Sequence, residues 1–564
     1  MLILGIQKHH NSSACVFYDS KLIYFNQEER LSRVKKDFGI PVKCLEQIKL
    51  ITNKIDKVII TGYDYSNAEN SLIMSYLKKI GFNITDLEWY AFYKDHHLCH
   101  AANAYYNSNF SDALIVVWDG RGSTYTLTDG SQAFETTTVY HSTKNSKLNL
   151  VYKRLYTPYG VSENAMVRPE IEVGVINQSY KFKNDTDKIE IRSDHDIGHV
   201  YEFVSNHMGF GPDECGKMMG LQSYGADNPL IPEILTVDFQ TNMSLFDNDD
   251  PDIIDVDRYP QFSKEPKNQQ HLIDLSYAVQ KSFEKQAMNL ISKMLSLTGE
   301  KNLILTGGAS LNVVANAHVR ETLADEIKIY AEPLCGDEGN CIGAVQIWRY
   351  SKNQIIEPAY TDVYIGPEYQ LDLNFAKQEF NLANCDYSDV VELLIEANIV
   401  AIYQGRAEAG PRALGNRSLL FDPRLSNGKD IVNRIKKREE FRPFACSVIY
   451  EEADKWFNLG GLDESPYMMF ALKAKKSVVE KIPAVVHIDG TCRIQTVKQQ
   501  QNPELYRLIK GFYSRTEVPL LLNTSFNLAG EPLVETPQDA FNVLRNSELK
   551  YVYFPEMGKI VYKK

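Results

Sequence analysis

The segment Asp95-His96-His97-Leu98-Cys99-His100 sets His96 and His100 four residues apart, which on a helix places both imidazoles on one face. That spacing suits a transition metal. A two-histidine site needs carboxylates from elsewhere, however, and HxxxH without the Glu of a metalloprotease motif also describes a plain histidine cluster. The candidate carboxylates are Asp119 in VVWDGRG and Asp337 in CGDEGN, both expected where strands end. Asp119-Gly120-Arg121-Gly122 follows one apolar strand and Gly307-Gly308 follows another, so backbone amides there can approach phosphates, as they also do nothing more than turn in many strand ends. Gly216-Lys217-Met218-Met219-Gly220 holds a lysine between glycines but lacks the Gly-Lys-Ser/Thr ending of a Walker loop.

A second concentration of chemistry lies downstream. Residues 404–418 (QGRAEAGPRALGNRS) carry three Arg and three Gly, followed by Lys436, Arg438 and Arg442 in NRIKKREEFRPFA and Arg493 in TCRIQT. Planar guanidinium forks match phosphate oxygens, and these arginines alternate with Gly and Pro instead of lining a polar helix face, so an anion site explains them better than solvated surface charge. Asn523-Thr524-Ser525-Phe526-Asn527, after the apolar run 518–522, adds short polar groups at another strand end.

These groups need a scaffold, and the patterning predicts an α/β one. Strands are expected at 2–7, 14–18 and 22–26 with Asp19-Ser20-Lys21 as a hairpin turn, and again at 57–61, 113–119, 302–306 and 326–330. A helix is expected over 270–297, where apolar residues recur every three or four positions. The polar stretch 160–193 reads as a surface excursion or mobile insert, and a domain boundary is expected near 350–358. Beyond it a helix at 390–397 and strands at 399–404, 485–496 and 518–523 are expected. No repeat of fixed period occurs, which excludes solenoids and propellers.

At 564 residues, 44% hydrophobic and 24% charged, the chain has the composition of a folded protein of several domains' mass. The 61 Lys+Arg against 73 Asp+Glu give a net charge of −12, which argues against nucleic acid or an anionic membrane as partner while leaving room for a local basic pocket. No apolar run is long enough to span a membrane and no signal-peptide pattern opens the chain, so a cytoplasmic protein is expected. Nine Cys without a CxxC pair are expected to be mostly buried thiols.

Nine blocks, taken in order, carry a family resemblance: HHLCHAANAYY, VVWDGRG, GKMMGLQSYG, LTGGASLN, GDEGNCIGA, QGRAEAGPRALGNRS, REEFRPFA, DGTCRIQTV and LLNTSFNLAGEPLV. Together they resemble the O-carbamoyltransferases of nodulation and antibiotic tailoring, from about residue 3 to residue 540. The resemblance implies an actin-like ATPase (ASKHA) domain over 1–352, similar to the tRNA threonylcarbamoyl transferase, followed by a YrdC-like α/β domain over 353–564. It implies that carbamoyl phosphate and ATP, with Mg(II), give carbamoyladenylate, and that the carbamoyl group then moves to a hydroxyl of a small-molecule acceptor, a sugar or natural product. It places carbamoyl-phosphate and adenylation roles on Arg412, Lys436, Arg442, Arg493, Asn523 and Ser525. Nucleotide contacts are expected at Gly120, Arg121, Gly122, Lys217, Gly307, Gly308 and Asn312, and metal ligands, for a divalent ion such as Fe(II), at His96, His100, Asp119 and Asp337.

The catalytic base is expected at His10, where the family shows His-Asp followed by small residues and this chain has His10-Asn11-Ser12-Ser13. His9 competes for the role. Two other functions stay open at this stage, a tRNA threonylcarbamoyl-type modifier and a non-catalytic nucleotide-binding scaffold. The acidic charge opposes the first and the retained Arg/Lys set the second. The acceptor and the oligomeric state cannot be read from the sequence.

Overall fold

Strand β1 (Leu2–Gln7) is apolar on both faces and buried almost throughout, as a central strand must be. It pairs antiparallel with β2 (Ser13–Tyr18) and parallel with β4 (Lys57–Thr61), in a sheet of order β3-β2-β1-β4-β5 with β3 at Lys21–Gln27 and β5 at Glu88–Phe92. The β2–β3 turn contains Asp19 at φ 51°, a conformation that Asp tolerates better than most side chains.

The second sheet repeats this plan. β6 (Ala113–Trp118) is central, antiparallel to β8 (Gln132–Ser142) and parallel to β11 (Asn302–Thr306). With β7 (Thr124–Thr126), β9 (Asn149–Tyr156), β10 (Ile189–Arg192) and β12 (Lys328–Ala331), the order is β10-β9-β8-β6-β11-β12, with β7 beside β8. Without the edge strands β7 and β10, both sheets read third-second-first-fourth-fifth with the same pairing senses around the first strand. This duplicated α/β order is the architecture expected of an actin-like ATPase unit.

The structure is a computed structural model that describes all residues except 63–66, 84–87, 144–146, 159–188, 212–213, 248–249 and 251. It divides into two compact units, one made of Met1–Ile23 and Phe38–Ala359, the other of Tyr24–Asp37 and Tyr360–Lys564. The division therefore falls after Ala359, where the sequence placed it at 352/353, and the second unit also takes in fourteen residues, 24–37, from near the N-terminus. Most of the stretch 160–193 lies outside the described residues, but its end forms β10, a parallel edge strand beside β9.

The second unit is built on a mixed sheet of nine strands among the described residues: β13 (Phe380–Asn384), β14 (Val400–Tyr403), β15 (Arg417–Phe421), β16 (Ala445–Ile449), β17 (Ala471–Lys473), β18 (Thr491–Val497), β19 (Leu520–Ser525), β20 (Tyr551–Phe554) and β21 (Lys559–Lys563). Their order is β13-β21-β20-β14-β15-β19-β16-β18-β17. The strand expected over 485–496 begins only at Thr491, because 487–490 form the turn that leads into it, with Gly490 at φ 81°.

All nine Cys are free thiols, and eight are buried. No helix among the described residues is long and apolar enough to cross a membrane.

Candidate functional site

The helix His96–Asn107 is buried along most of its length, and its apolar stripe packs with β6 and β11 in one core. The helix Asn340–Ser351 crosses it at Gly343, where a Cβ would stand 2.0 Å from the Cys99 carbonyl oxygen, so only glycine permits that approach. The crossing brings the start of each helix together. Asp337 lies in the turn Asp337–Gly339 just before the second helix, six residues past the end of β12, which corrects the expectation that it ends a strand.

Asp119 directly follows β6. Its loop is held by Gly122 N–H to the Glu135 carbonyl at 2.8 Å and Ser123 N–H to Glu135 Oε2 at 3.0 Å, while Ser123 Oγ accepts from His96 N–H at 3.1 Å. Glu135 can serve as that buried anchor because the Lys153 ammonium and the Tyr125 hydroxyl bond it.

His96, His100, Asp119 and Asp337 converge, one ligand atom from each lying within 4.8 Å of all the others. His96 Nε2 is 3.1 Å from Asp119 Oδ2, 3.3 Å from Asp337 Oδ1 and 3.2 Å from His100 Nε2. His100 Nε2 is 3.3 Å from Asp337 Oδ1 and 3.7 Å from Asp119 Oδ2. Burial alone would lower both imidazoles, yet the two carboxylates raise them, and burial alone would raise the carboxylates, yet the imidazoles hold both below their ordinary range.

His96 and His100 face each other through their Nε2 edges at 3.2 Å, so that a charge on His96 opposes one on His100. A divalent ion held by two neutral imidazoles and two carboxylates removes that repulsion and balances the charge. Donors about 2.1 Å from one ion stand roughly 3.0–3.4 Å from their neighbours, close to the 3.1–3.3 Å between His96 and the other three ligands. Two amides complete the surroundings: Asn340 Nδ2 is 3.1 Å from His100 Nε2 and Gln7 Nε2 is 3.4 Å from Asp337 Oδ2, and both amides are fully buried with carbonyl oxygens that have no hydrogen-bond partner. The residues fit a divalent metal.

His10 follows β1 in a half-buried turn, and Gln7 Nε2 bonds its carbonyl at 3.4 Å while reaching Asp337. His9 is placed differently: its backbone pairs both ways with Gly39, its ring stacks on Phe38 at 5.5 Å and it is buried.

The nucleotide candidates are spread over several settings. Gly308 lies against Asp119, since a Cβ there would be 3.2 Å from Oδ1, and Gly307 turns at φ 88° over the Trp118 carbonyl. Gly120 N–H bonds Asp119 Oδ1, Gly122 packs on His97 and Glu135, and Arg121 stacks over Phe134 at 3.9 Å. Lys217 pairs with Glu214 at 2.5 Å, and Asn312 caps the helix Val313–Thr322 while exchanging hydrogen bonds with Gln280.

In the second unit Asn523, Ala445 and Arg493 stand at one level of three adjacent strands, β19, β16 and β18. Side chains opposite one another share a face, and Asn523 Nδ2 donates to Ser447 Oγ at 2.8 Å and to Gln495 Oε1 at 3.2 Å. Lys436, the last residue of the helix Gly428–Lys436, donates to the Ser525 carbonyl, to Ser525 Oγ at 3.2 Å and to Asn527 Oδ1 at 2.9 Å. Burial, then Arg438 and Arg442, press its pKa well down, and burial with Arg412, Arg438 and Arg442 does the same to Arg493. Arg438 is pushed down to about 9.

These mutually repelling cations suit an anion. Sulfate, which does not titrate here, should favour charged Lys436 and so be bound with proton uptake. Its affinity, read by calorimetry in two buffers, is expected to fall from pH 7 to pH 9; affinity that rises with pH would contradict the site.

Sequence reading placed Arg438 among the anion-binding cations but did not assign Gln7 or Asn340 a role; the two amides carried no signal.

One unit of this α/β protein thus carries a buried His/Asp cluster suited to a metal, and the other a cluster of cations suited to an anion. The chain belongs to the carbamoyltransferase family: residues 82–346 match the carbamoyltransferase N-terminus and residues 391–563 the carbamoyltransferase C-terminus. It is 28% identical to nodulation protein NolNO of Sinorhizobium fredii over 96% of this chain and 77% of that one. It is 25% identical to nodulation protein U of Bradyrhizobium diazoefficiens over 94% and 92% of the two chains. Among solved structures, HypF of T. kodakarensis aligns with a TM-score of 0.36 at 11% identity, covering 64% of this chain and 49% of that one. As a family member the protein moves a carbamoyl group from a donor to an acceptor.

Proposed function

We propose that the protein is an ATP-dependent O-carbamoyltransferase using carbamoyl phosphate as donor and a small-molecule hydroxyl, of a sugar or natural product, as acceptor. The observation that carries this reading is the cluster of cations at Lys436, Arg438, Arg412 and Arg493, in which Lys436 is buried and neighbouring arginines oppose the charge on Lys436, Arg438 and Arg493, an arrangement that fits a phosphorylated donor.

Carbamate is a poor electrophile until its oxygen bears a good leaving group. In the second unit Arg412, Arg442, Arg493 and Lys436 would bind carbamoyl phosphate, with Asn523 and Ser525 supplying hydrogen bonds; water would cleave its P–O bond to release phosphate and carbamate, whose oxygen would then attack the α-phosphorus of ATP and displace pyrophosphate. In the first unit the Gly307-Gly308 turn and the Asp119 loop would receive the nucleotide part, and His10 would take the acceptor's proton as its oxygen attacks the carbamoyl carbon and AMP departs. His96, His100, Asp119 and Asp337 would hold a divalent metal, for which Fe(II) suits the mixed nitrogen and oxygen donors. Such an ion supplies positive charge beside phosphate oxygens.

Arg442→Ala or Arg412→Ala should abolish or sharply slow pyrophosphate release from ATP plus carbamoyl phosphate, because losing a charge-assisted pair costs on the order of 1.5–3 kcal/mol. Transfer from supplied carbamoyladenylate should survive. Equal losses in both half-reactions would sink the division of labour, and a wild type that never releases pyrophosphate would sink the donor assignment.

A further inference from the structure

The second unit includes fourteen residues from near the N-terminus, Tyr24–Asp37, and three of their side chains, Gln27, Arg30 and Arg33, bond the backbone of two distant loops. Arg30, 2% exposed, donates through Nη2 to the Gly410 carbonyl at 2.6 Å and the Glu408 carbonyl at 3.4 Å. Gln27 Oε1 accepts from Gly410 N–H at 3.1 Å. Gly410 is thus held through both its N–H and its C=O, at φ 86°. Four residues on, Leu414 N–H bonds Glu408 Oε1 at 2.7 Å, and the N–H groups of Asn416 and Arg417 converge on the same oxygen at 3.3 and 3.2 Å. Arg412 sits on the arc between these two pins.

Arg33 treats the other loop in the same way, donating to the Leu533 carbonyl at 2.7 Å and the Pro532 carbonyl at 2.8 Å. That loop begins with Asn527, which bonds Lys436, and closes on itself through Asn527 Nδ2 to the Glu531 carbonyl at 2.6 Å and Val534 N–H to the Phe526 carbonyl at 3.0 Å.

A buried guanidinium bonded only to carbonyls is expensive: Arg30 Nε and Nη1 have no hydrogen-bond partner. Glu29 Oε1 stands 3.8 Å from Arg30 Nε and Asp539 Oδ1 3.6 Å from Arg33 Nε, both beyond hydrogen-bond reach, so what the hydrogen bonds to the two loops achieve is geometric. We propose that Gln27, Arg30 and Arg33 are positioning residues of the anion site, fixing the backbone from which Arg412 and the Lys436-facing loop reach the donor's phosphate. This rests on the anion-site reading of that unit and deepens it.

The test uses the full-length protein and inorganic sulfate as probe, read by calorimetry, with circular dichroism as the check on folding. Arg30→Met should weaken sulfate binding roughly tenfold, and Arg30→Lys, which keeps the charge but not the fork, should fall between it and wild type. Because Arg30 acts through Arg412, adding Arg30→Met to Arg412→Ala should weaken binding no further. If Arg30→Met does not fold, Arg33→Met, at a less buried position, replaces it with the same expected direction. In turnover, the effect should fall on the KM for carbamoyl phosphate and leave the KM for ATP unchanged. Unchanged sulfate affinity in folded variants, or losses that add fully to that of Arg412→Ala, would overturn the proposal, as would a wild type that does not bind sulfate. A wild type that binds sulfate but releases no pyrophosphate would instead leave the positioning role standing and remove carbamoyl phosphate as the donor.

Discussion

His10→Asn should slow carbamoyl transfer by roughly 10²–10⁴, the range for loss of a positioned general base, while pyrophosphate release continues and carbamoyladenylate accumulates. Imidazole suits the task because its ordinary pKa, near ~6.5, lets it accept a proton near neutrality and hand it back. The turn after β1 offers two imidazoles, and their surroundings separate them. His9 has φ 76°, a ring stacked on Phe38 and both backbone groups paired with Gly39, so replacing it should cost stability before it costs transfer. His10 is half-buried, and its carbonyl shares Gln7 with Asp337 of the His/Asp cluster.

Asn11 sharpens the comparison. It stands at φ 50°, which Asp tolerates as well as Asn, so Asn11→Asp restores the family pattern without backbone strain. A carboxylate beside the base favours the imidazolium that forms, and transfer should hold or rise. Chromatographic quantitation of carbamoyladenylate and carbamoylated acceptor checks each variant. Transfer at the wild-type rate by His10→Asn, with loss in folded His9→Asn, would move the base to His9.

The chain's own sequence spoke most clearly where chemistry and local structure share a short stretch. HxxxH on a helix, Asp after an apolar strand and Gly in a turn are local patterns, and the structure brings His96, His100, Asp119 and Asp337 together. The helix at Gln269–Thr298 and strands β1, β4 and β11 are legible for the same reason.

What local pattern cannot carry is distance along the chain. Nothing in residues 24–37 announces that Arg30 will bond carbonyls some 380 residues away, because a backbone carbonyl has no sequence signature. The alignment of Asn523, Ala445 and Arg493 is equally silent, since it exists only through the register of β19, β16 and β18. Asn340 reaches the cluster through a helix crossing that depends on Gly343, and Gln7 from the end of β1. The turn at 487–490 misled in the opposite way: its apolar lead-in resembles a strand, but His487 and Gly490 close a turn first.

Metal should prove the stronger determinant of the first unit, and its effect should grow with pH. Purified protein is expected to contain about one divalent transition metal per chain, and His96→Ala/His100→Ala to contain none. In the chelated wild type, the two imidazoles are raised above their ordinary values, so their contribution to stability is complete below about pH 6.5 and is lost as pH rises through the raised values. The two carboxylates are depressed, so theirs is present above about pH 4 and lost only in acid. Chelated protein should therefore weaken from pH 6.5 upward. Metal binding has the opposite dependence, because the ion must displace protons from both imidazoles, and its affinity rises over the same interval. The difference in melting temperature between loaded and chelated protein should widen from pH 6 to pH 8, with ~2.7 kcal/mol of stabilisation when the ion is present at a hundred times its Kd. In His96→Ala/His100→Ala the carboxylates lose their partners and stay buried, so the variant should melt lower than chelated wild type near pH 6 and respond little to added metal. A stoichiometric ion retained by that variant, or a gap that narrows as pH rises, would place the metal elsewhere.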